Sequence, residues 1–194
     1  DSERVEYHTA VIPGVTNESL TTKLIQVCEN RGDALAIIDL EGDYVPSTEN
    51  TSTETNRLGT VAQVITSLQN RQLNTSYGCA YYPWCKVKDV INDNVLDMPP
   101  SIVALGVFAH SELKTEPWFA PAGFNRGGLS QGHAGLPVLN TKLRLNAKDR
   151  DKLQAANINP IAKFPNEGLV IWGQKTLQVV PSALDRINVR RLLL

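Results

Sequence analysis

Ala34-Leu35-Ala36-Ile37-Ile38-Asp39-Leu40 is the stretch on which the fold turns. Apolar side chains fill consecutive positions, so both faces of an extended chain must be covered there, as in a central strand of a parallel sheet. Upstream, Pro13-Gly14 makes a turn and Thr16 or Asn17 can cap a helix that Gly32 closes. Leu20, Leu24, Val27 and Cys28 fall on one face of that helix. Downstream, Gly42 to Asn56 is rich in Ser, Thr, Asn and Glu, which predicts an exposed loop over 42–56. Leu58, Val61, Ala62, Ile65 and Leu68 then mark a second helix.

Farther on, Tyr77 to Trp84 reads as a buried strand, and Cys85-Lys86-Val87-Lys88 alternates apolar and basic residues. That is a strand leaving a buried sheet for a half-exposed edge, with Pro83 at the break. Pro99-Pro100-Ser101 introduces Ile102 to Ala109, apolar all round, and Ser101 after the double proline favours a buried helix. Ala120 to Pro137 holds five glycines and two prolines and is an irregular connection. Asn146 to Asp149 resembles a capping box and opens a short helix to about Ala156. Ile161 to Phe164 and Leu169 to Trp172 flank Pro165-Asn166-Glu167-Gly168, a hairpin signal. The order strand, helix, strand, helix predicts an α/β fold with a mixed, partly parallel sheet, flanking helices and a C-terminal hairpin.

The chain has 194 residues, 42% hydrophobic and 20% charged, enough for one domain with a real core. Its net charge of −1 leaves no basic surplus for nucleic acid. No apolar run approaches the roughly 18 residues of a membrane span, which predicts a soluble protein. Cys28, Cys79 and Cys85 have no framework spacing. Cys79 and Cys85 straddle an extended segment about 20 Å long, whereas a disulfide needs Cα atoms within about 7 Å. Reduced thiols point to synthesis in a cytoplasm. The chain opens at Asp1 and stops at Leu192-Leu193-Leu194, so it reads as a fragment of a longer protein.

Gly128-Leu129-Ser130-Gln131-Gly132 fits the G-x-S-x-G nucleophile elbow literally. That chemistry needs a strand before the serine, a helix after it, and an acid and then a histidine later in the chain. Neither element is present, and the only later histidine is His133, three residues on. A serine hydrolase built from Ser130, His133 and Asp39 is the competing reading from another class. Gly123 to Gly128 has Walker A spacing without the lysine that reaches phosphates. His8, His110 and His133 are scattered, so no metal or cofactor is expected. Asp39 ends the buried strand, where open α/β sheets place functional carboxylates; a loop-capping role competes, because no partner residue can be named. Arg186, Arg190 and Arg191 suit ion pairs within the fold or with a neighbouring subunit, and Trp84, Trp118 and Trp172 suit core or interface anchors.

Several of these segments are familiar together. Tyr81-Tyr82-Pro83-Trp84 through Asp89 resembles the Tyr-Tyr-Pro-Trp strand of contractile bacteriophage tail sheath proteins, and Pro99-Pro100-Ser101 through Ala109 resembles the helix that follows it. Trp118-Phe119-Ala120-Pro121-Ala122-Gly123 is similar to the family's Trp-x-Ala-Pro-Ala-Gly segment. Asn157 to Ile161, Trp172-Gly173 through Leu177, and Leu184 through Leu192 match later signatures in the same order. Asn125 to Leu129 is like the T-even branch, and His110 stands where the family usually carries a basic residue.

The resemblance implies a core domain over 1–194 with subtilisin-like topology and no protease site, and residues 178–194 leading towards a further C-terminal domain. It implies core roles for Tyr82, Pro83, Trp84, Pro100, Trp118, Pro121, Trp172 and Gly173. Subunit contacts fall to Arg186, Arg190 and Arg191. It also implies a structural subunit, not an enzyme, that stacks as hexameric rings around a tail tube and contracts to drive the tube through the host envelope. Its partners would be other sheath subunits, the tail tube protein, the baseplate and the tail terminator. Neither nucleic acid nor membrane is among them. Its place is the virion, after synthesis in the bacterial host cytoplasm. A related injection machine, a pyocin or type VI secretion sheath, is the alternative.

Overall fold

The computed structural model describes residues 5–194. Strand β1 (Thr9–Val11) leads through a turn into helix α1 (Glu18–Arg31), which Asn17 caps by accepting the Leu20 N–H and Gly32 ends in the left-handed conformation. Strand β2 (Leu35–Ile38) is the apolar run read from the sequence. A short helix α2 (Glu54–Arg57) precedes α3 (Val61–Asn70), and β3 (Gly78–Tyr82) runs into a cis Tyr82–Pro83 peptide. Strands β4 (Cys85–Asp89) and β5 (Asn94–Met98) form a hairpin, followed by α4 (Pro100–Lys114). Then come β6 (Val138–Thr141), α5 (Ala147–Ala155), the hairpin β7 (Asn159–Phe164) and β8 (Gly168–Ile171), a 3-10 turn at Ala183–Asp185, and α6 (Ile187–Leu192).

Five strands form the main sheet in the order β1-β2-β3-β7-β8. The first four are parallel, and β8 closes the sheet antiparallel to β7. Period-two alternation divides β2 between two cores. Leu35 and Ile37 join Tyr81, Val103, Phe108, Ile161 and Ile171 on the α4 side, while Ala36 and Ile38 join Ile25, Val64, Leu68, Leu153 and Ile158 under α1, α3 and α5. The strand is thus covered on both faces.

A second sheet of three strands, β5-β4-β6, is antiparallel throughout. Strand β4 is its middle strand, not the edge expected from its half-exposed lysines. Lys86 and Lys88 face outwards because this sheet is covered on one side only. Loop 42–56 also departs from the expected exposure at its start: Asp43 and Tyr44 are buried, and the Tyr44 ring meets Trp84 edge-on at 5.5 Å. In α1 the buried face is Thr21, Ile25 and Cys28, and Leu20 is 54% exposed. Thr21 can be buried because its hydroxyl donates to the Asn17 and Glu18 carbonyls and accepts from Arg71. No helix among the described residues is long and apolar enough to cross a membrane.

Candidate functional site

Asp39 follows the last residue of β2 and is fully buried. One carboxylate oxygen accepts the Gly14 N–H at 2.8 Å and the Ser101 hydroxyl at 2.7 Å; the other accepts the Ser101 N–H at 3.1 Å. The carboxylate therefore ties the β1–α1 turn and the first turn of α4 to the end of the central strand. Burial pushes its pKa up, against the pull of those donors. This is the capping role, and the partners invisible to sequence reading are Gly14 and Ser101. Ser101 is not the helix cap: Pro99 holds that position, and the Ser101 side chain is spent on Asp39.

The residues of the hydrolase reading do not come together. The Ser130 oxygen accepts the Leu169 N–H at 2.9 Å, which pins the glycine-rich loop to β8. His133 turns Nδ1 towards the Gly128 N–H at 3.2 Å and stacks on His110 with ring centroids 4.5 Å apart. Burial and the neighbouring His110 lower its pKa. Among the described residues no hydrogen bond joins Ser130 to His133, and Asp39 is committed to the far end of α4. Nor do three or more His, Cys, Asp or Glu side chains among them gather where they could hold a metal ion.

The C-terminal arginines divide. Arg190 is 6% exposed, with its guanidinium 3.8 Å from the Tyr77 ring centroid. Arg191 bonds Glu112 at 2.9 Å and covers Phe108. Both hold α6 to the body of the domain, so as subunit contacts they are already engaged within the chain. Arg186 is half exposed and, among the described residues, pairs with the adjacent Asp185. Tyr82, Pro83, Trp84, Pro100, Pro121 and Gly173 are buried. Trp118 and Trp172 depart from a core role, at 48% and 37% exposed. Trp172 packs with Phe124 and Phe164 in a surface aromatic cluster, and Trp118 lends its carbonyl rather than its ring to Asn188.

Sequence reasoning also missed Asn159. Its buried amide donates to the Ala80 and Lys175 carbonyls and accepts the Lys175 N–H at 2.6 Å, joining β3, β7 and the segment after β8. Gly173 is required by this contact, since a Cβ there would sit 2.6 Å from the Asn159 oxygen. An asparagine before Pro160 in a buried strand was the available signal. Taken together, the polar side chains singled out by type serve as ties between elements. They bind strands, helices and the glycine-rich loop into one body.

Known proteins place this body. Residues 1–177 match the family described as phage tail sheath protein central domain. The chain is 35% identical over 125 residues to the tail sheath protein of Vibrio phage KVP40 and 36% identical over 104 residues to that of Enterobacteria phage T4. These stretches cover 64% and 54% of this chain but only 18% and 15% of the relatives' lengths. Among solved structures, the sheath complex of an extracellular contractile injection system in its contracted state superposes with a TM-score of 0.69 at 24% identity, over 97% of this chain and 44% of that one. The helical sheath of the anti-feeding prophage, also contracted, gives 0.60 at 21% identity, over 95% and 43%. Both likenesses concern the fold. With most of its length matched by the family, the chain belongs to the phage tail sheath proteins and carries their central domain.

Proposed function

We propose that this chain is the core of a structural subunit of a contractile phage tail sheath. The subunit stacks as hexameric rings around the tail tube and, on a signal from the baseplate, contracts to drive the tube through the host envelope. Its partners are neighbouring sheath subunits, the tail tube protein, the baseplate and the tail terminator; it needs no cofactor and meets neither nucleic acid nor membrane. It is made in the host cytoplasm and works in the virion. Residues 1–194 act as the moving rigid body, and 178–194 lead towards a C-terminal domain. The observation that carries this reading is the family match over residues 1–177. The buried ties of Asp39, Asn159 and Arg190 support it, because a lever must keep its shape while contacts around it rearrange.

Electron microscopy of the full-length sheath protein, mixed with preformed tail tubes, tests the proposal. Striated tubes with six-fold symmetry are expected. Persistently dispersed protein in the presence of tubes would overturn it. The likeness to injection-system sheaths favours one second reading, a sheath of such a machine. The tube on which the protein assembles separates the two.

A further inference from the structure

The main sheet ends on β8, and the glycine-rich loop takes up the edge that β8 presents. The Leu169 carbonyl accepts the Leu129 N–H at 2.7 Å, and the Leu169 N–H donates to the Ser130 hydroxyl at 2.9 Å. The Ile171 N–H donates to the Gly127 carbonyl at 2.9 Å, and the Ile171 carbonyl accepts the Gly123 N–H at 2.8 Å. Leu129 and Ala134 join the core on the α4 side. The loop thus covers backbone groups that an open strand edge would leave unpaired.

Two histidines hold this loop from behind. His133 is half-buried, and its Nδ1 accepts the N–H of Gly128, the residue that bridges to Val170 of β8. Nδ1 therefore carries no proton. The His133 ring lies on that of His110, with centroids 4.5 Å apart and planes 15° apart. His110 stands on α4 one turn after Gly106, where the Ala134 peptide packs against the helix. A proton on His133 would enter at Nδ1 and set one N–H donor against another at the loop's contact with β8. A second proton on His110 would place like charges face to face.

The surroundings offer these protons little compensation. The Arg126 carbonyl favours the charged form of His133, but burial and His110 outweigh it. The Arg126 guanidinium is directed elsewhere, over the Phe119 ring and onto the Ala120 carbonyl. On α4, the Glu112 carboxylate is bound by Arg191, and Lys114 one turn beyond His110 is itself basic. Strands β6 and β8 carry no titratable side chain.

We propose that the stacked His110–His133 pair is a proton-operated latch, which holds the 123–137 loop on the outer edge of β8 and releases it in acid. Above the ordinary imidazole value of about 6.5, the latched and open loop are both neutral and the latch is closed. As pH falls below that value, the open loop accepts the proton that the latched one resists, so opening is favoured. The latch would give the domain one acid-sensitive joint. It goes beyond the proposed function and does not rest on it.

Hydrogen–deuterium exchange of the full-length protein tests it, read by mass spectrometry as protection relative to intrinsic rates. Peptides covering 127–134 and 168–172 are compared with peptides of β2 and β3 at about pH 7.5 and about pH 5. Acid should lower protection in the first pair about tenfold or more and leave the second pair unchanged. Equal protection at the two pH values overturns the latch. Loss shared equally by β2 and β3 overturns it too, because the whole domain would then be loosening. His133→Asn keeps an acceptor for Gly128 and cannot take the proton, so it should abolish the acid response. Persistence of that response in a folded His133→Asn protein overturns the proposal. If His133→Asn fails to fold, His110→Phe replaces it. That variant keeps a stacked ring without the second charge and should move the opening to lower pH, and an unmoved midpoint overturns the latch.

Discussion

Asp39 and Ser101, 62 residues apart in sequence, are joined twice: the Ser101 hydroxyl and N–H donate to different oxygens of the same buried carboxylate. The pair couples the central strand to the N-terminus of α4. Hydrogen bonds to charged groups are each worth about 1.5–3 kcal/mol, and the oxygen that loses the hydroxyl would stay buried with the Gly14 N–H as its remaining donor. Ser101→Ala should therefore lower unfolding free energy by about 2 kcal/mol in urea titration, with the m-value unchanged. A loss below experimental error would mean that Gly14 and the remaining N–H suffice.

Asp43 predicts a pH dependence. Burial pushes its carboxyl well up, the nearby Asp39 charge adds to the rise, and the N–H groups of Tyr44 and Trp84 oppose it. One oxygen has no hydrogen-bond partner. Because the folded pKa exceeds the unfolded one, the folded state binds more protons in between. The favourable contribution is complete below the unfolded value of about 3.9 and is lost as pH rises through the folded value. Asp43→Asn keeps an acceptor for Tyr44 and removes the charge. Its stability relative to the parent should rise between pH 5 and pH 8, measured by denaturant unfolding. A constant difference would show that the carboxyl does not titrate in that window.

How much of this was legible depends on where the physical cause lies. The run Ala34 to Leu40 announced a doubly covered strand because burial on both faces leaves an unbroken apolar signature. The Asn146–Asp149 capping box was equally local, and both halves of it form. Strand β5 escaped notice because Asn94 to Asp97 has no buried face and so no periodicity to read. Thr21 was passed over for Leu20 because threonine is polar by type, and only its local carbonyls and Arg71 make its burial affordable. Asp39 could be flagged, but Ser101 could not be assigned to it, since their meeting depends on the topology of the sheet. The ties of Arg190 to Tyr77 and Asn159 to Lys175 are long-range in the same way.

Gly106 lies inside α4, where alanine would ordinarily gain about 1 kcal/mol of helix propensity. In this fold a Cβ would be driven into the Ala134 peptide, within 2.8 Å of its carbonyl carbon. Overpacking against backbone costs about 1–3 kcal/mol, so the clash outweighs the propensity. Gly106→Ala should lower the melting temperature by several degrees, and a rise would show that the 128–137 loop yields freely.

The three thiols give a readout of the whole core. Cys28, Cys79 and Cys85 are free and buried, the first on the inner face of α1, the second in β3 and the third at the start of β4. Burial pushes the Cys28 thiol up to about 11 and the other two higher still, so almost no thiolate exists at neutral pH. Native protein should leave a disulfide reagent unreacted for hours, and denatured protein should consume three equivalents. Because Cys28 and Cys79 lie in different cores, loosening of α1 alone would release Cys28 first. Simultaneous release of all three would show that both faces of the sheet open together, as expected of a body that moves as one piece.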